Sequence, residues 1–156
     1  MTSHPTACNP AMVSKRGTIM TAALITDERV LVVDTRMHPD DAESLLAAIR
    51  TRANAPIRYV VNRQFHGDHY MGNVVFQREG AIFIADTDTQ TAIKEHFQYK
   101  VETRPFAERE QDPDGVELVL PDILFDNRMM LQLGDRTIEL IYFGAGRNES
   151  ADATDY

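Results

Sequence analysis

One cysteine, Cys8, stands in the 156 residues, which excludes an intrachain disulfide and any multi-cysteine metal site. Long apolar runs are missing too. The best, Met20 to Ile25, falls far short of the ~18–20 residues a membrane span needs. The first residues include His4, Pro5, Asn9 and Pro10 and contain no apolar stretch of the signal-peptide kind. Basic charge is scarce: 16 Lys and Arg stand against 24 Asp and Glu, a net charge of −8. That balance disfavours a broad electrostatic footprint for nucleic acid. No Gly-rich phosphate loop follows a strand, and there is no nucleophile elbow. These absences leave a cytoplasmic default and a small-molecule substrate, with no nucleic-acid or membrane partner expected.

The chain does have the makings of a core. Hydrophobic residues are 43% and charged residues 26%, ordinary proportions for a globular chain. The length suits one domain or a piece of one. Residues 1–17 read as a polar tail and 18–156 as the domain. Thr18 to Thr26 and the apolar run Val30 to Val33 flank a polar turn and predict a hairpin, its second strand buried on both faces. Pro39, Asp40, Asp41 and Glu43 favour a helix start, and Leu45, Leu46 and Ile49 form its apolar stripe. Ile57 to Val61 gives the next strand, closing a βαβ unit.

A weaker repeat of this alternation follows. A short helix is expected at Gly72 to Gln77, a strand at Ala81 to Ala85, and a helix at Thr87 to Phe97 capped by Asp86 or Thr87. Arg104 to Gly115 reads as an exposed loop. Gly134-Asp135 between Met129–Leu133 and Thr137–Phe143 predicts a hairpin. Asp152 to Tyr156 resembles the start of a strand that is cut short.

The sharpest local signal is Asn62-Arg63-Gln64-Phe65-His66-Gly67-Asp68-His69, directly after the strand Ile57 to Val61. Ligands gather beyond the carboxyl ends of strands in α/β folds. Imidazole nitrogens and a carboxylate suit zinc or iron, and Gly67 lets the loop turn tightly. The competing reading is a polar turn whose histidines cap a helix end.

With its surroundings, this window resembles the metallo-β-lactamase superfamily, whose signature is His-x-His-x-Asp-His. Val30 to Thr35 resembles the family's apolar strand ending in Asp-Thr-Gly, and Tyr70-Met71-Gly72-Asn73 resembles its Gly-Gly-Asn. Phe143 to Tyr156 resembles the later Gly-rich turn that precedes a ligand histidine and an aspartate. The resemblance implies an α/β or α+β fold, an αββα sandwich of which only the first half is present. It implies one or two zinc ions, with His66 in the first metal site and Asp68 and His69 in the second. Asp68 would also orient the nucleophile or take its proton. The implied activity is hydrolysis of an ester, lactam, thioester or similar bond.

The departures are specific. Gln64 stands where the first histidine belongs, Arg36 where the glycine after Asp-Thr belongs, and Asn148, or Arg147 on another count, where the later ligand histidine belongs. The candidate metal residues are therefore Gln64, His66, Asp68, His69 and Asn148. The alternative is a metal-depleted member or fragment acting as a binding module. Asp34 is expected to hold the motif loop by hydrogen bonds, His38 to mark a helix start, and His96 to sit partly protonated at a helix C-terminus. A first sheet without its second half is expected to expose an apolar face and to self-associate through it.

Overall fold

The computed structural model describes residues 20–100 and 115–144. The first hairpin forms as β1 (Ala22–Ile25) and β2 (Val30–Val33), paired antiparallel. Helix α1 (Pro39–Arg50) carries the chain to β3 (Ile57–Val61), which lies parallel to β2. His38 enters α1 in an extended conformation, Pro39 occupies the first turn, and Asp40 and Asp41 face the positive end of the helix dipole. His38 thus marks a helix start, as the sequence implied.

Beyond β3 come the one-turn helix α2 (Gly67–Tyr70), α3 (Asn73–Arg78) and β4 (Ile82–Asp86). Helix α4 (Thr87–Gln98) follows at once, its Thr89 amide donating to the Asp86 carboxylate at 2.9 Å. That is the N-cap the sequence called for. A short strand not expected from the sequence, β5 (Ile123–Phe125), completes a sheet of order β1-β2-β3-β4-β5. The strands β2 to β5 are mutually parallel. Strands β6 (Arg128–Leu133) and β7 (Arg136–Ile141) form the expected hairpin, a separate two-stranded sheet. The loop expected at Arg104 to Gly115 and the strand expected from Asp152 lie almost wholly or wholly outside the described residues.

Period-two alternation divides the core in two. Val30, Val32, Val60 and Phe83 face Leu45 and Ile49 of α1 and Val75 and Phe76 of α3. Leu31, Val61 and Ile84 face the other way, onto Leu131 and Leu133 of the hairpin. Side chains buried to this degree each contribute about 1.5–3 kcal/mol by leaving water. The layers are therefore helix, sheet and sheet. Among the described residues both faces of the central strands β2, β3 and β4 are covered; the large exposed apolar side chains include Met20, Tyr99, Leu118 and Leu124 as well as Met130, Ile141 and Phe143 on and just after the hairpin.

One close approach locks the helical layer to the sheet. A methyl group added at Gly72 would stand 2.1 Å from the Thr35 carbonyl oxygen and 2.7 Å from the Ala42 methyl. Neither neighbour is the far end of a flexible side chain. Gly72→Ala is expected to cost at least about 3 kcal/mol in urea denaturation. Gly80→Ala, where nothing lies within 4 Å but φ is +78°, is expected to cost only about 1 kcal/mol.

Candidate active site

The Asn62–His69 loop is anchored before any chemistry begins. The Asn62 side-chain amide donates to the His69 carbonyl at 2.9 Å and to Asn73 Oδ1 at 3.1 Å. Asn73 returns a bond to Asn62 Oδ1 at 2.9 Å, and the Thr35 hydroxyl donates to Asn73 Oδ1 at 2.8 Å. The Thr35 amide also donates to the His69 carbonyl at 3.0 Å. Thr35, Asn62 and Asn73 are all buried, so each bond spares a polar group that burial would otherwise leave unpaired. These residues belong to three separated stretches of the chain. Their convergence explains why Asp-Thr, Asn and Gly-Asn recur in the resemblance together with the histidine motif.

Asp34 is the second anchor. It is 0% exposed and sits at φ +60°, a left-handed conformation that aspartate tolerates better than most residues. Its carboxylate accepts from the Arg63 amide at 2.9 Å and from Arg63 Nε at 2.7 Å. His69 Nδ1 lies 2.8 Å from Asp34 Oδ2, an ion-pair distance, though the ring N–H is not aimed along a hydrogen-bond line. The other ring nitrogen, His69 Nε2, lies 3.9 Å from Asp68 Oδ1. A carboxylate behind one imidazole nitrogen and a second donor before the other is how proteins orient metal-ligating histidines. Asp34 therefore holds the loop through Arg63, as expected, and stands beside the His69 ring.

The predicted ligands come together as two pairs rather than one cluster. Asp68 and His69 form the first. Gln64 and His66 form the second, with Gln64 Oε1 3.3 Å from His66 Nδ1 and the His66 ring stacked on Phe65 at 4.2 Å between centroids. No group of three His, Cys, Asp or Glu side chains converges among the described residues. Asn148 and Arg147 lie outside those residues. Arg36 takes φ +77°, which accounts for the glycine at this place in the family pattern.

His96 corrects the sequence reading. It does lie in the last turn of α4, as expected, but burial keeps it from being partly protonated there. It is packed inward, with Nδ1 2.9 Å from the hydroxyl of the fully buried Tyr70 and its ring 6.4 Å from that of His66. Burial, then the Lys100 ammonium, then His66 push its pKa down to about 4. Burial also raises the pKa of Tyr70, so the phenol keeps its proton. The spacing of Ile93, His96 and Phe97 on one helical face was the available signal, since Ile93 is buried and Phe97 packs against the same cluster. Beside the motif, a groove of about 680 Å³ opens at the carboxyl ends of β2, β3 and β4. Val61, Gln64, His66, Asp88, Phe125 and Tyr142 are among its walls.

Asp34→Ala removes the charge that Arg63 and His69 share. Because the Arg63 side chain is about half exposed and can be solvated again, the expected loss is about 2–3 kcal/mol in urea denaturation, with Asp34→Asn losing less. His96 gives a pH signature. Its folded pKa lies below the unfolded value, so the unfolded chain binds more protons between pH 6.5 and about 4. Stability is expected to fall as pH drops through that window. Thermal unfolding of the metal-free protein at a series of pH values should show a shallower decline for His96→Gln than for wild type.

No protein-family model matches the sequence, and no curated protein matches it. Among solved structures, a metallo-β-lactamase from Pontibacter korlensis is similar, with a TM-score of 0.55 and 20% sequence identity. The match covers 83% of this chain and 53% of that one, so this chain spans about half the length of that relative. With its helix, sheet and sheet layers and the motif at the strand ends, the chain carries the metallo-β-lactamase fold over that half.

Proposed function

We propose that the chain is the motif-bearing half of a metal-dependent hydrolase, acting on an ester, lactam, thioester or similar bond. The observation that carries this reading is the line Asp34, His69, Asp68. A carboxylate oxygen and an imidazole nitrogen 3.9 Å apart fit one edge of a zinc site, close to the ~3.3 Å expected for ligands at tetrahedral angles. Asp68 and His69 would hold the ion. Zinc in such a place supplies Lewis acidity and lowers the pKa of water to about 7.

The chain's own residues do the rest. Asp34 sits 2.8 Å from His69 Nδ1, and the other ring nitrogen, Nε2, lies 3.9 Å from Asp68. Asp68, a quarter exposed, has the solvent access to orient a water or accept its proton. The groove offers apolar walls at Val61 and Phe125 for the body of a small substrate.

Gln64 supports a second reading, a metal-free binding module that uses the same groove. An amide oxygen is a harder and weaker partner for zinc than imidazole. Zinc content of the purified chain after stripping and reloading separates the two. The hydrolase reading expects about one zinc per chain, and at least a tenfold loss of zinc affinity and of generic ester hydrolysis in Asp68→Asn and in His69→Gln. Less than about 0.2 zinc per chain, with no hydrolysis restored by added zinc, would favour the binding module, since a structural or catalytic site fills stoichiometrically.

A further inference from the structure

The hairpin has two outer edges, and one of them borders the groove. The Tyr142 amide donates to the Asn127 carbonyl at 2.9 Å, one step beyond the Ile141–Arg128 pair. Bonded and non-bonded pairs alternate along an antiparallel ladder. Tyr142, Leu140 and Ile138 therefore turn their main-chain groups toward β6. Thr137, Glu139 and Ile141 turn theirs away, and no second strand pairs with β7 among the described residues. Glu139 to Gly144 run along the groove, so the free amides and carbonyls of Glu139 and Ile141 lie at its rim. Edge strands are usually blunted by proline, a bulge or a covering element. Strand β7 carries no proline, and its register with β6 runs unbroken from Arg136 to Ile141.

We propose that the groove takes an extended peptide with apolar and basic side chains, added as a strand to the free edge of β7. The inference rests on the groove being the ligand site, which both functions above share, and on nothing that a metal supplies. It names the class of ligand. An extended main chain repeats its N–H and C=O groups at the two-residue spacing of Glu139 and Ile141, which a compact small molecule does not. From Glu139 to Gly144 an extended strand spans about 17 Å, room for roughly five residues of ligand. Val61 and Phe125 on the other walls offer apolar surface to its alternate side chains.

Charge decides which peptide. Asp86, Asp88 and Glu139 line the groove, and the basic side chain among its walls is Arg63. The Arg63 guanidinium is committed to Asp34, with Nε 2.7 Å from Oδ2. The lining is therefore negative on balance and favours lysine or arginine in the ligand. Glu139 already shares its charge with Arg128 at 2.6 Å. Asp88, exposed and steadied by the Tyr142 hydroxyl at 2.7 Å, is better placed to meet the incoming cation. The same charges argue against a second copy of this chain as occupant. Two β7 edges paired in full register about a two-fold axis would set Glu139 against Glu139.

The test titrates the metal-stripped full chain into a fluorescein-labelled Val-Lys-Val-Lys-Val peptide with an amidated end, followed by anisotropy. Saturable binding is expected, at least tenfold tighter than for the peptide with glutamate in place of lysine. Methylating main-chain nitrogens of the peptide is expected to weaken binding at least tenfold at alternate positions and to be tolerated between them. Ile141→Pro deletes an outward amide and no bond to β6, and should weaken binding as much. Met130→Pro, at an outward position on the far edge, should not. Asp88→Asn should narrow the preference for lysine over glutamate. Circular dichroism checks that the variants are folded, and where a proline variant is not, the methylated peptides decide. No saturable binding up to about 1 mM overturns the proposal. So does binding indifferent to methylation, since charge alone would then hold the peptide. Slow deuterium exchange at the Glu139 and Ile141 amides of the free chain overturns it too, by showing the edge already covered. With metal absent throughout, failure here leaves the zinc reading standing, and a chain that takes up no zinc leaves this one.

Discussion

A charged carboxylate with no exposed surface is costly unless its surroundings replace the water it has lost. Asp34 is such a group, and the site is organised around how its charge is met. The main-chain and side-chain donors of Arg63 and the ring of His69 all reach it. Asp34 stands at the end of β2, Arg63 follows β3, and His69 lies in α2. Meeting the charge therefore requires neighbouring strands to end together and the loop between β3 and α2 to curl back. The position of His69 follows from that requirement before any metal is considered.

The Thr35, Asn62 and Asn73 knot acts on the same loop from the opposite side. Its shared target is the His69 carbonyl. Main chain and side chain of one residue are thus held by separate sets of partners. Gly72 completes the fit by letting Thr35 come within reach, and its own amide donates to the Arg36 carbonyl at 2.9 Å. Arg36 accepts a left-handed backbone in the process. Some intrinsic preference is sacrificed at one residue so that several buried polar groups are satisfied at once.

Much of this was legible in the sequence because its signals were local. Val30 to Val33 and Ile57 to Val61 announce buried parallel strands by continuous apolarity, and Pro39 with its acidic neighbours announces α1. Gly134-Asp135 marks the β6–β7 turn, where Gly134 takes φ +60°. The short strand β5 escaped because Ile123 to Phe125 is three residues long and takes its conformation from pairing with β4. The inward packing of His96 escaped for a different reason. Helical spacing puts it on the buried face, but its partners Tyr70 and His66 come from a distant stretch of chain. The hydrogen bond between Gln64 and His66 was likewise invisible, because spacing in a loop does not fix which way the side chains turn.

The bonding around the motif also bears on how the molecule breathes. Loops that carry chemistry are usually the first parts of a fold to open. Here the amides of Asp34, Thr35 and Gly72 donate to carbonyls at 2.9, 3.0 and 2.9 Å, inside a cluster whose side chains are themselves cross-linked. Releasing them means parting β2 from β3 and the segment after β2 from α2 and the turn that follows it. Solvent deuterium should therefore reach these three amides only when that part of the domain opens as a unit, so the frame that holds the motif loop belongs with the slow-exchanging core.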